Sequence, residues 1–192
     1  MTRHQLLTIP NILTLGRLIA VPVFIWASFR GRFTLAFVLF VSAAITDILD
    51  GFIARKLDQR SRLGAVLDPA ADKTMMISGF LFYTLHHTVT RQIPSWLTFT
   101  IFVRDVVIIT FAYLLYTRVQ VTRFPPSWAG KISTLLQAIA LGGAIAINSF
   151  WPTFLRGADV LFHIALFMTL FSSWDYLRKG ERLLVAGLRA TS

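Results

Sequence analysis

A chain of 192 residues that is 55% hydrophobic and only 15% charged carries more apolar side chains than a soluble core of this size can enclose, so it is expected to form one membrane domain over 1–192. Its formal charge of +10 comes with no RNA- or DNA-binding motif, and its bases flank apolar runs, so the expected partner is a lipid bilayer and no nucleic acid. The absence of cysteine excludes disulfides and thiolate metal sites.

Hydropathy and length predict an all-α polytopic membrane protein with about six transmembrane helices, near 9–29, 33–54, 64–86, 94–117, 128–150 and 155–178. Pro94, Pro125, Pro126 and Pro152 punctuate the connections, which are too short for a second domain. The start, MTRHQLLTIPN, has no small-residue cleavage site after its apolar run, so the first hydrophobic segment is expected to stay as a helix. Arg3, Arg55, Lys56, Arg60, Arg62, Arg118, Arg123, Arg178, Lys179, Arg182 and Arg189 would lie on one side, against only Arg30, Arg32, Arg91 and Arg156 on the other. Positive residues favour the cytoplasm, which puts both termini and the 55–62 connector there.

In the first span Arg17 lies well inside the bilayer and needs an anionic partner, either a buried carboxylate, which is favoured, or a substrate phosphate. Asn11, after Pro10, either caps the helix or lines a pocket. The second and third spans carry the acids around which the chain is organised. Asp47 and Asp50 stand at i, i+3 with Gly51 and Ala54 on the same stripe, and Gly64, Asp68 and Asp72 follow at i, i+4, i+8 on the next helix. In a hairpin, Asp50 and Asp68 would sit about 7.5 and 9 Å below the connector, and Asp47 and Asp72 about 12 and 15 Å below it. All four could then meet in one pocket. Their mutual repulsion calls for protons, bases or metal ions. Oxygen-only donors suit Mg²⁺ or Mn²⁺, ions that commonly bridge carboxylates and substrate phosphates. The competing use of intramembrane acids is a non-enzymatic proton or cation carrier.

The fourth span holds Arg104-Asp105, whose adjacent side chains leave a helix about 100° apart and are each expected to find another partner. Arg104 would make a two-pronged phosphate clamp, and Lys131, in Gly130-Lys131-Ile132-Ser133-Thr134, adds a second cation at the cytoplasmic end. Together they suggest an anion site beside the acids. His86 and His87 read as a solvated loop pair, and Lys73 as a snorkelling or neutralising base. Trp26, Trp96, Trp128, Trp151 and Trp174 lie near span ends, where indoles favour the interface. The closing YLRKGERLLVAGLRATS suits either a short helix on an anionic membrane surface or a solvated tail.

The run Asp47-x2-Asp50-Gly51-x2-Ala54-Arg55-x8-Gly64-x3-Asp68-x3-Asp72 resembles, at each of its eight defined positions, the signature of the CDP-alcohol phosphatidyltransferase family. Pro10-Asn11-Ile12-Leu13-Thr14-x2-Arg17 is similar to that family's first helix. The resemblance implies transfer of a phosphatidyl group from CDP-diacylglycerol to an alcohol, with release of CMP. It implies metal binding by Asp47, Asp50 and Asp68, with Asp72 beside the metal as general base. It also implies a nucleotide site formed by Asp47, Asp50, Gly51, Ala54, Arg55 and Gly64. The acceptor site is expected at Arg104, Lys131 and Arg123. Arg-Asp at 104–105 and Lys-x-x-Thr-x-x-Gln from Lys131 to Gln137 are similar to members that make cardiolipin. Phosphatidylglycerophosphate synthases more often show Arg-Glu and a second lysine where this chain has Ser133. These features favour phosphatidylglycerol as acceptor, with glycerol 3-phosphate as the alternative, and leave a homodimer open.

Overall fold

The structure, a computed structural model, describes the backbone of residues 9–57, 64–119, 127–151 and 155–191, and the side chains of 15–47, 71–114, 117, 127–151 and 157–181. Every regular element among them is helical: α1 (Ile9–Phe29), α2 (Phe33–Leu57), α3 (Gly64–Leu85), α4 (Ser95–Val119), α5 (Trp128–Ser149) and α6 (Leu155–Thr191). The expected spans are matched to within a few residues at most ends. α6 is the exception, because it runs unbroken into the basic tail. That stretch has no proline to stop it, and an i, i+4 ion pair between Asp175 and Lys179 at 2.8 Å supports its entry.

Local chemistry sets the ends. α1 stops at a tight turn in which Gly31 takes φ +68°, a conformation that costs glycine little, while the Arg32 amide donates to the Ala27 carbonyl at 2.9 Å. Pro94 opens α4 by leaving its carbonyl free to accept from Leu97 at 3.0 Å. Ser127 caps α5, its Oγ accepting from the Gly130 amide at 3.0 Å.

The chain divides into two compact units. The first comprises residues up to Gln92 together with Leu141–Leu155, and the second Ile93–Ala140 with the chain from Arg156 onward. In the first unit α1 packs against α2 and α3, and Phe24, Phe80, Tyr83, Leu141 and Ile145 are fully buried. Gly79 lets α3 approach α5, since a Cβ there would lie 2.7 Å from Leu141 Cδ2. Asn148 ties the α3–α4 connection to α5, accepting from the Arg91 amide at 3.0 Å and donating to its carbonyl at 2.9 Å. His86, expected to be solvated, is half-buried, with its ring stacked on Phe82 at 4.7 Å, while the exposed His87 pairs with Gln92 at 3.1 Å.

The second unit buries polar side chains beside apolar ones such as Leu97 and Phe162. Gln137 donates to Ser133 at 3.2 Å and to Thr169 at 3.0 Å, joining α5 to α6 through side chains with no access to water. Gly180 brings α6 against α4 so closely that an added Cβ would stand 1.7 Å from the Phe111 ring.

Among the described residues, three stretches are long and apolar enough to cross a bilayer: Ser95–Leu114, Trp128–Ser149 and Gly157–Glu181. They make this an integral membrane protein. The outward side chains agree, since Phe99, Ile109 and Phe167 are each about two-thirds exposed, as suits hydrocarbon and not water. All five tryptophans are exposed as well, as a set of interfacial indoles requires.

Candidate active site

α1, α2 and α3 build the acidic site within the first unit. α2 carries Asp47 and Asp50, and α3 carries Asp68 and Asp72. The side chains of Asp50, Gly51, Ala54, Arg55, Gly64 and Asp68 lie outside the described residues, as does all of Arg123. Asp47 and Asp72 are described, and they converge. Both accept from the same nitrogen, Arg17 Nη1, Asp47 Oδ1 at 2.9 Å and Asp72 Oδ1 at shorter range. One Nη carries two N–H bonds, so a single guanidinium nitrogen can serve both carboxylates at once.

Of the two partners expected for Arg17, the structure shows carboxylates. These are two of the motif acids themselves. The arginine is buried, whereas the Asp47 and Asp72 side chains remain 45% and 41% exposed. Each carboxylate therefore commits one oxygen inward and keeps open surface for another ligand. Among the described residues no third Asp, Glu, His or Cys joins them. The donors present are hard carboxylate oxygens, held a few ångströms apart and partly open, which fits a hard divalent cation. Lys73, next in the chain, is exposed.

The expected acceptor residues stand in the second unit, and the structure treats them differently from one another. Arg104 is buried and, contrary to expectation, pairs with its neighbour: Nη1 donates to Asp105 Oδ1 at 3.0 Å. The 100° divergence applies at Cβ, and the long arginine stem is flexible enough to swing its head back. Nη2 donates to Ser172 at 3.1 Å, and the guanidinium lies 5.8 Å from the Tyr176 ring. Nε has no hydrogen-bond partner among the described residues. Lys131 is exposed and lies over Trp128 at 5.2 Å. Ser133 is fully buried in the Gln137–Thr169 network.

Sequence reasoning missed Ser172 and Tyr176 as partners of Arg104. Thr169, Ser172 and Tyr176 recur at i, i+3, i+7 in an otherwise apolar helix, and that polar stripe was the available signal. Tyr176 also reaches the start of α5, its hydroxyl 3.4 Å from the Ser127 amide and its ring in the space a Gly130 Cβ would need.

Comparison with known proteins adds a family and named relatives. The model of the CDP-alcohol phosphatidyltransferase family matches residues 7–173. A probable phosphatidylglycerophosphate synthase of Mycobacterium tuberculosis is 31% identical over 99% of this chain and 89% of its own length. A CDP-diacylglycerol–glycerol-3-phosphate 3-phosphatidyltransferase of Aquifex aeolicus is 31% identical over 93% of this chain and 98% of its own length. The protein of the same name in Haemophilus influenzae is 33% identical over 91% and 95%.

Proposed function

Because the chain belongs to the CDP-alcohol phosphatidyltransferase family, and is therefore a phosphatidyltransferase of phospholipid biosynthesis, we propose that it makes phosphatidylglycerophosphate from CDP-diacylglycerol and glycerol 3-phosphate. The observation that carries the choice of acceptor is the naming of relatives that match nearly end to end in both directions.

The local features that favoured phosphatidylglycerol lose their force for a physical reason. Asp105 is the counter-ion of Arg104, a task that a glutamate could share, so it need not report on the acceptor. Ser133 points into a buried hydroxyl–amide network, where the lack of a lysine says little about phosphate binding. Cardiolipin synthesis is thus the second reading, and a proton or cation carrier is set aside by the family.

In the proposed reaction the acceptor hydroxyl oxygen attacks the phosphorus that bears diacylglycerol. A new P–O bond forms, the P–O bond to CMP breaks, and the hydroxyl proton passes to the Asp72 carboxylate. Arg17 holds Asp72 and Asp47 in place through one nitrogen. Members of the family are generally divalent-metal dependent. Asp47, Asp50, Asp68 and Asp72 would hold Mg²⁺ or Mn²⁺, which would offset the charge that develops on departing CMP. Gly51, Ala54, Arg55 and Gly64 are proposed to line the nucleotide site, and Arg104, Lys131 and Arg123 to bind the acceptor phosphate. The membrane domain is proposed to span the bilayer six times with both termini cytoplasmic, where CDP-linked substrates and glycerol phosphate meet.

The test is CMP release by purified protein in detergent, with metal, CDP-diacylglycerol and either acceptor. Glycerol 3-phosphate should stimulate release and phosphatidylglycerol should not. The reverse result would restore the cardiolipin reading.

A further inference from the structure

α6 presents Val160, Ile164, Phe167, Phe171, Trp174 and Arg178 at alternating steps of four and three, which places them in one stripe. All six are exposed, Phe167 to 67% and Trp174 to 51%. The upper part is an aromatic ladder. Phe167 and Phe171 lie nearly parallel at 6.4 Å, Phe171 meets Trp174 at 6.2 Å, and the Arg178 guanidinium sits 3.8 Å over the Trp174 ring. Lys179, beside it, is held by Asp175, whereas Arg178 has no carboxylate paired to it among the described residues.

The dimensions match one leaflet. Phe167 to Arg178 is eleven residues, about 16 Å of helix, and half of the hydrocarbon core is about 15 Å. Arg178 stands near the end of the apolar stretch Gly157–Glu181, so with that end at the headgroups Trp174 falls at the interface and Phe171 and Phe167 at acyl-chain depth. A guanidinium laid flat on an indole keeps its edge N–H groups free to donate to phosphate oxygens. A second helix is a poor occupant, because helix interfaces in membranes favour Gly, Ala, Ser and Thr, and the stripe has none of these.

We propose that this stripe binds an anionic phospholipid, with its phosphate on Arg178 and an acyl chain along the Trp174–Phe171–Phe167 ladder. None of the acids of α2 and α3 takes part in it, and it needs only that the protein is embedded in a bilayer.

The experiment uses full-length protein in detergent, titrated with phosphatidylglycerol or phosphatidylcholine carrying the same brominated chains, which quench nearby tryptophans. The Trp174 contribution is read as the quenching lost in Trp174→Phe. Phosphatidylglycerol should quench it at about fivefold lower concentration than phosphatidylcholine, because both present a phosphate to Arg178 but only the choline headgroup cancels its charge, and one basic residue facing an anionic lipid is worth about 1 kcal/mol. Arg178→Gln should abolish that preference, and Phe167→Ala with Phe171→Ala should weaken both lipids about threefold or more. Glycerol 3-phosphate should not relieve the quenching. Equal response to the two lipids, an unchanged preference in Arg178→Gln, or relief by glycerol 3-phosphate would overturn the proposal. So would efficient disulfide cross-linking of Phe171→Cys between two copies, which would assign the face to a second chain.

Discussion

Removing Arg17 tests whether one buried guanidinium holds the acidic site together. In Arg17→Gln the two hydrogen bonds to Asp47 and Asp72 lose their charged donor. Bonds to charged groups are worth about 1.5–3 kcal/mol each. Because both carboxylates are nearly half exposed and can recover some solvation, the lower part of that range applies, giving about 2–4 kcal/mol in total. At about 2–4 °C per kcal/mol for a chain of this length, the unfolding midpoint should fall by about 4–16 °C. The assay is thermal unfolding in detergent with chelator, followed by tryptophan fluorescence. Arg17→Lys should fall between the two, since an ammonium keeps the charge but not the planar geometry. Added Mg²⁺ should stabilise Arg17→Gln more than wild type, because the variant leaves two carboxylates without their counter-ion. A drop of less than about 1 °C in chelator, a small fraction of the range expected from these bonds, would mean that Arg17 does not hold the two acids together.

Further outcomes follow from the same geometry. Asp68→Asn and Asp47→Asn should abolish transfer and weaken metal-dependent binding of CDP-diacylglycerol, whereas Asp72→Asn should keep that binding and lose turnover; equal loss of binding in Asp72→Asn and Asp68→Asn would contradict the assignment of Asp72 as base. Gly180→Ala forces a Cβ into the Phe111 ring, so overpacking of about 1–3 kcal/mol should outweigh the gain of about 1 kcal/mol in helix propensity, and Phe111→Leu in the same background should recover the melting temperature. Ser133→Lys places an unpaired charge in the Gln137–Thr169 network, so it should lower stability without improving use of glycerol 3-phosphate, as activity measured beside melting would show.

Much of the fold was legible because a bilayer simplifies the code. Long apolar runs must be helical, and prolines and short polar connections mark their ends, so spans such as 128–150 fall within a residue of α5. The unbroken course of α6 was hidden because Lys179-Gly180-Glu181 reads as a boundary by polarity, while Gly180 serves close packing on Phe111 and not a helix end. In the site, residue types and spacing within α2 and α3 pointed to a shared acidic pocket. The identity of Arg17's partners was not readable, since Asp47 and Asp72 lie 30 and 55 residues away and meet it only through the packing of three helices. The surroundings of Ser133 were hidden too: it stands two residues from Lys131, about 200° around the helix, and is buried against Thr169 while Lys131 is exposed.

The proposed reaction transfers a phosphatidyl group to glycerol 3-phosphate at a metal-dependent acidic site. It is tested most directly by incubating the purified protein with CDP-diacylglycerol, ¹³C-labelled glycerol 3-phosphate and unlabelled phosphatidylglycerol together, with Mg²⁺ or Mn²⁺, and identifying the lipid product by mass spectrometry. Labelled phosphatidylglycerophosphate should form, with none in excess chelator or with Asp68→Asn. Unlabelled cardiolipin as the sole product, or labelled product undiminished by chelator, would contradict it.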